Sequence, residues 1–296
     1  MKEFQKPKIE LDIEELRKES DWLTPYILPN GVKTKPGKNK RISKKDLEKT
    51  RVIQSFNVNG KNVLDVGCSE GIYSFYLAEL GANVMGIDID NKRIKKANFV
   101  KNILGYDNVK FEHGDILNDK YLDNLPKFDL IIAWGLLHRI PDPFNAIIHL
   151  GSKCDAISFE WRAPIILYPS NFSAALHVPK GNFEWKNLYN EYEVTPIISS
   201  HEIAEFWRIT PGYVKALLKR VGFKNFKTNT IKREAGSLKF LYNSFRFIAG
   251  YIIHKNKVFS WEPSMRIHLL AERKSEKIGM TKYNNNKPKQ WDGRFM

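Results

Sequence analysis

The stretch Val63-Leu64-Asp65-Val66-Gly67-Cys68-Ser69-Glu70-Gly71 decides how this chain folds. A short apolar run ends at an acid and a glycine-flanked turn, and Gly71–Leu80 follows with helical spacing of its apolar residues. A strand that turns sharply into a helix needs residues that tolerate positive φ, which glycine supplies at Gly67 and Gly71. Asp65 stands at the carboxyl end of the predicted strand, the edge where open α/β sheets bind their ligands. A carboxylate there suits a ligand that carries an ammonium group better than a pyrophosphate.

The same rhythm continues outward. Strands are predicted at 83–87, 109–113, 129–133 and 156–160, with helices at 92–104 and 143–150 between them. Further along, Thr210-Pro211 opens a helix over 212–221, with Thr210 as its cap and Pro211 in its first turn. Strands at 223–230 and 265–272 bring the total to seven. This alternation implies an α/β fold with a mostly parallel seven-stranded sheet and helices on both faces. The rhythm fails over 161–210 and again over 231–262, which are expected to be insertions. Residues 1–55 read as a helical and basic extension, 56–273 as the main domain and 274–296 as a flexible basic tail.

Three strand ends carry acids. Gly86-Ile87-Asp88-Ile89-Asp90 closes the second strand about 20 residues after the first, and His113-Gly114-Asp115-Ile116 closes the third. An acid at the second strand end can accept hydrogen bonds from both hydroxyls of a ribose. Asp115 is placed to meet an exocyclic amine of adenine. Together Asp65, Asp88 and Asp115 describe a pocket for an amino acid, a sugar and a purine. A dinucleotide site would instead want Gly-x-Gly-x-x-Gly with phosphates on the helix N-terminus. Here Glu70 precedes that helix, where its charge is expected to repel phosphate.

These residues resemble the class I S-adenosylmethionine-dependent methyltransferases, whose domain is a Rossmann-like fold. Asp65-x-Gly67-x-Ser69-x-Gly71 matches their first motif, with Ser69 in place of the middle glycine. The resemblance covers 60–160 well and 211–272 loosely. It implies that Gly67 and Gly71 line the methionine portion of S-adenosylmethionine, that Asp88 holds the ribose, that Asp115 with Ile116 holds the adenine, and that Ser69 and Ile89 also belong to the cofactor site. Trp134, at the end of the fourth strand, either packs beside the adenine or belongs to the core. In Trp134-Gly135-Leu136-Leu137-His138-Arg139, the fourth strand end faces the reactive methyl. His138 is therefore the candidate general base or acceptor-orienting group, or else a histidine that bonds the backbone of its own turn.

Two segments narrow the likeness. Trp22-x-x-x-Tyr26-x-Leu28-Pro29-Asn30-Gly31-Val32-x-Thr34-x-x-Gly37 and Leu136-Leu137-His138-Arg139 resemble the tRNA wobble-uridine (mo5U34) methyltransferase-like family. That family carboxymethylates tRNA with carboxy-S-adenosylmethionine. Its tyrosine that helps hold the extra carboxylate is Leu137 here, which favours ordinary S-adenosylmethionine.

Composition bounds the partners. Hydrophobic residues make up 42% of the chain, enough for a packed core. The two cysteines, Cys68 and Cys154, offer neither a disulfide framework nor metal spacing, so no metal and a reducing cytoplasm are expected. Met1–Ser20 lacks the apolar stretch of a secretory signal, and no apolar run is long enough to span a bilayer. Residues 215–296 hold 19 Lys+Arg against 5 Asp+Glu, and 33–51 is a second basic run. These regions face RNA or are simply solvated lysine-rich surface. The aromatic insertion at 161–210, with Trp161, Tyr168, Trp185 and Trp207, reads as an acceptor lid or as a hydrophobic cap. A small-molecule or sugar acceptor is slightly favoured over tRNA, a non-catalytic S-adenosylmethionine-binding protein is the third reading, and membrane association over Phe240–Lys257 is the least favoured.

Overall fold

A computed structural model describes residues 6–35, 50–164, 175–177, 207–231 and 264–273. Helix α1 (Lys6–Glu19) leads to strand β1 (Asn62–Val66), helix α2 (Ile72–Glu79), β2 (Asn83–Asp88), α3 (Asn91–Leu104) and β3 (Val109–His113). Then come α4 (Asp119–Asn124), β4 (Phe128–Trp134), α5 (Pro143–Ser152), β5 (Cys154–Pro164), β6 (Ala175–His177) and β7 (Trp207–Ile209). The chain closes with α6 (Pro211–Arg220), β8 (Asn225–Ile231) and β9 (Ser264–Glu272).

Seven strands form one sheet in the order β3-β2-β1-β4-β5-β9-β8, and β6 pairs with β7 in a separate small ribbon. Strands β1 to β5 run parallel, and β9 is antiparallel to both β5 and β8. The expected seven-stranded fold is therefore present. Strand β5 is longer than its apolar run suggested, because β9 pairs with it from Ala156 to Pro164. The short α4 and the β6–β7 ribbon had no sequence signal.

Helix ends follow local chemistry. The Asp90 carboxylate accepts from Lys92 N at 2.9 Å and starts α3, which Gly105 ends at φ 73°. Asp142 accepts from Phe144 N and Asn145 N ahead of Pro143. Thr210 caps α6, as read from its sequence.

Alternation along the strands divides the core in two. Val63, Leu130, Ile132, Trp134 and Leu270 face one side with residues of α2 and α3. Leu64, Val66, Ile131, Phe159 and Leu269 face the other with residues of α5 and α6. The N-terminal stretch joins the first cluster: Ile9, Ile13, Trp22, Tyr26, Leu28 and Val32 are all buried there. Trp22 packs against Phe99 of α3 with ring centroids 6.1 Å apart and lies under the Lys96 ammonium at 5.2 Å. Most of the basic run at 33–51, the bulk of both insertions, the Phe240–Lys257 segment and the tail from 274 lie outside the described residues.

Candidate active site

The ends of β1, β2 and β3 are tied into one rim. Gly67 N and Cys68 N both donate to Ile87 O, at 2.8 and 3.0 Å. Ser69 N donates to Asp88 Oδ2 at 2.8 Å, and Asp90 N donates to Asp88 Oδ1 at 2.9 Å. Gly114 N donates to Asp88 O at 3.1 Å. Asp88 thus sits at the centre of the rim, half-buried, and burial raises its pKa against the opposing effect of those N–H donors. Each carboxylate oxygen keeps a second lone pair for a ligand hydroxyl.

The turn needs its unusual residues. Gly67 and Gly71 have φ of 71° and 87°, and a Cβ on Gly71 would come within 2.4 Å of Phe111 Cζ. Ser69 occupies the left-handed region at φ 53°, so the serine adopts what a glycine would adopt more cheaply.

The three acids lie in order along this edge, at different depths. Asp65 is only 2% exposed and accepts from Ser74 Oγ at 2.6 Å. Burial, aided by the nearby charge of Asp88, pushes its pKa up to about 7. It lies beneath the loop. Asp115 is partly exposed and turns its own loop by accepting from Leu117 N at 2.9 Å. Ile116 is buried beside it, whereas Ile89 is 57% exposed on the rim. His113 Nε2 meets Ile89 O at 2.9 Å and holds that residue's backbone.

Trp134 fits the core reading. It is 7% exposed, its Nε1–H donates to Ser158 Oγ at 3.0 Å, and its ring meets Tyr73 and His268 edge-on. Its side chain belongs to the α2–α3 face, opposite the face on which Ile116 packs. His138 is fully buried, and its Nδ1 accepts from Arg162 N at 3.5 Å. Trp207 N donates to His138 O at 3.4 Å and Trp207 Nε1 to Pro141 O at 2.8 Å, while Trp161 Nε1 donates to Ile209 O at 2.7 Å. The described part of the aromatic insertion therefore seals the β4–α5 turn as a cap. Leu137 is buried in the apolar core and offers no polar group to a carboxylate.

Glu70 corrects one expectation. It does not face a ligand at the helix N-terminus. It is fully buried and accepts from Leu23 N (2.8 Å) and Thr24 N (2.6 Å), and Arg93 donates to it at 2.8 Å. Tyr26 Oη donates to Glu70 O at 2.7 Å. Its charge is neutralised by Arg93 and spent on the N-terminal segment, so it is no argument against phosphate. Beside it, Lys96 Nζ donates to Ser20 O, Ser20 Oγ and Asp21 O. Residues 20–34 form a strap clamped on the loop between β1 and α2. The Trp22-to-Gly37 pattern was the sequence signal for this segment, but nothing local to Glu70 named its partners.

A further polar group lies along the same edge: Glu160 could be read from the sequence as a substrate contact just past the fifth strand, whereas its partners Arg266, Ser158 and His268 could not. Glu160, in register with Trp134, is buried and accepts from Arg266 at 2.6 Å. Ser158 Oγ and His268 Nε2 share a 2.8 Å hydrogen bond one step deeper.

Tested against an S-adenosyl ligand, the residues fit. Left-handed turn positions allow close backbone approach, a central carboxylate suits a diol, an exposed isoleucine suits a purine face, and a buried carboxylate suits an ammonium. Among the described residues no His/Cys/Asp/Glu group suits a metal, and no helix is long and apolar enough to cross a membrane.

The methyltransferase domain family matches residues 57–150. A ubiquinone biosynthesis O-methyltransferase of Coxiella burnetii is 35% identical over 196 residues, 62% of this chain and 79% of the relative. One of Pseudomonas fluorescens is 36% identical over 97 residues, 32% of this chain and 40% of the relative. The chain thus spans about two fifths of that protein's length. The N-terminal domain of EvdMO1, solved with SAH and D-fucose, superposes with a TM-score of 0.60 at 14% identity, covering 92% of this chain and 98% of that one. That likeness is one of fold. The curated relatives described here carry O-methyltransferase names and not those of tRNA-modifying enzymes.

Proposed function

We propose that this chain, which belongs to the class I S-adenosylmethionine-dependent methyltransferases, transfers a methyl group from that cofactor to a hydroxyl oxygen of a small-molecule acceptor. The observation that carries the reading is the rim in which Asp88 is bonded to the loops after both β1 and β2, while its own carbonyl holds the loop after β3. Gly67, Ser69 and Gly71 give the methionine portion close access to the backbone. Asp65 supplies negative field below its ammonium. Asp88 accepts from the ribose hydroxyls, and Asp115 and Ile116, with Ile89 at the rim, take the adenine.

The bound cofactor supplies an electrophilic methyl on a sulfonium. The protein's part is alignment: it holds donor and acceptor in line and excludes water, so proximity accounts for much of the acceleration. His138 acts through structure. Buried under the cap, it fixes the β4–α5 turn against β5 and so shapes the acceptor side. A hydroxyl acceptor is favoured by the O-methyltransferase names of the relatives.

Titration calorimetry with S-adenosylmethionine, followed by transfer of its tritiated methyl into fractionated cell extract with RNase controls, tests this. Binding that Asp88→Ala weakens at least about tenfold, with label in an RNase-resistant small-molecule fraction, is expected. Label in an RNase-sensitive fraction would turn the reading to tRNA, and binding without any turnover would turn it to a non-catalytic protein.

A further inference from the structure

The amino end of the sheet carries a second cleft. It lies where β1, β2, β3 and β4 begin, over Asn62, Asn83, Met85 and Phe128. Strands of five to seven residues separate these starts from the donor rim, about 13–20 Å at 3.3 Å per residue. The reason for the opening is the short crossover above it. Helix α4, between β3 and β4, has only six residues and spans about 9 Å. On that side of the sheet Met85 is only half-buried and Asn83 is exposed. The space left is about 530 Å³, within the range of small-molecule sites.

Three ammonium groups from three elements line it: Lys101 in the last turn of α3, Lys110 on β3 and Lys127 in the loop before β4. Asp107 is the one acid among the described lining residues, so the lining is net positive. Among the described residues, the ammonium groups of Lys101 and Lys127 make no ion pair or hydrogen bond. Lys110 pairs with Glu112 at 2.8 Å, but its side chain is 71% exposed, and solvent screens such a pair. The neighbouring Asp129 is occupied by Lys61 at 3.2 Å and Asn62 N at 2.9 Å. The remaining lining suits a ring. Asn62 and Asn83 stand side by side in the β1–β2 register, with side-chain amides that bond no other described residue. An amide offers a donor and an acceptor together, as a nucleobase edge requires. Met85, two residues along the same face and level with Lys110, offers soft apolar surface for a flat ring.

We infer that this cleft is a second ligand site, remote from the donor loop, and that it takes a nucleoside monophosphate. Lys101, Lys110 and Lys127 hold the phosphate; the base lies on Met85 with its edge toward Asn62 and Asn83. Ammonium groups serve a phosphate as charge-assisted donors. The site stands independently of the methyl-transfer reading, and its distance from the rim allows both ligands to be bound together.

The test uses the full chain saturated with S-adenosylhomocysteine, which keeps adenosine analogues out of the donor site. Calorimetry at low salt follows AMP, GMP, CMP and UMP, the matching nucleosides and inorganic phosphate. Saturable binding of at least one monophosphate is expected, tighter than its nucleoside and than phosphate by about tenfold or more, and weakening as salt rises. Lys101→Gln and Lys127→Gln remove charges outside the core and together should weaken it at least about tenfold. Asn83→Asp keeps the shape, adds a repelling carboxylate and should weaken it by about tenfold. Lys120→Gln, on the exposed surface of α4 and outside the cleft, should leave it within about twofold. All four variants should keep S-adenosylhomocysteine affinity within about twofold. The inference is overturned by the absence of saturable monophosphate binding, by a nucleoside or phosphate that binds as well, or by an affinity that these substitutions leave untouched or that Lys120→Gln lowers equally. If S-adenosylhomocysteine fails to bind the parent chain, the methyl-transfer reading falls, and GMP, CMP and UMP, which lack adenine, still decide this site.

Discussion

Substituting Glu70 by Gln separates a strap anchor from a ligand-facing charge. Glu70 accepts two backbone N–H groups and one guanidinium, with no exposed surface. Gln keeps the shape but turns a donor amide toward donors, so at least one buried N–H is left unmet at about 1–3 kcal/mol. Arg93 loses a buried partner at 2.8 Å, a loss that typically costs about 3–5 kcal/mol when it leaves a charge uncompensated. Asp90 remains 3.6 Å from Arg93 and softens that loss. The two costs overlap, and the net expectation is about 3 kcal/mol, a large part of a typical domain's stability. Urea unfolding followed by tryptophan fluorescence measures it, and limited proteolysis reports whether residues 20–34 have come loose. Since Ser69, next to Glu70, donates to Asp88, S-adenosylhomocysteine affinity should fall in parallel. A loss under about 1 kcal/mol with the strap still protected would refute the anchor. A gain in affinity for anionic ligands would mean that Glu70 faces the pocket after all.

Asp65 makes cofactor binding proton-linked. Its folded pKa of about 7 exceeds the ordinary 3.8, so the free fold retains a proton that the unfolded chain has lost. Its stabilising contribution is full below pH 4 and lost as pH rises to about 7; the ligand's ammonium favours the carboxylate, so binding should release protons and tighten toward pH 7. Calorimetry at pH 6 in two buffers of different ionisation enthalpy checks this, and Asp65→Asn should abolish the release. Gly71→Ala forces a Cβ onto Phe111 at φ 87° and should cost about 3 kcal/mol in urea midpoint analysis, whereas Ser69→Gly should be neutral or stabilising by up to about 1 kcal/mol. Trp207→Ala removes a buried indole that bonds Pro141 O and packs on Phe144, and should lower thermal stability by about 3–5 kcal/mol while leaving S-adenosylhomocysteine affinity nearly unchanged.

Much of this molecule was legible in one dimension, because the signals involved are local. The apolar run of Asn62–Val66, the glycines at 67 and 71, the Thr210 cap, and an acid closing each of the first three strands all act within a few residues of themselves. They set the α/β alternation, the parallel sheet and the order of acids along its rim. What only the tertiary structure decided depends on groups far apart in the chain. Glu70 is an anchor because Leu23 and Arg93 converge on it, His138 is buried because Arg162 and Trp207 close over it, and Trp134 points into the core because β5 and β9 supply Ser158 and His268 beside it. Arg162 stands opposite Arg266 only because β9 runs antiparallel to β5 in one particular register. A side chain's charge is written in the sequence; whether that charge meets a ligand, a strap or another arginine is set by burial and register, which long-range packing alone determines.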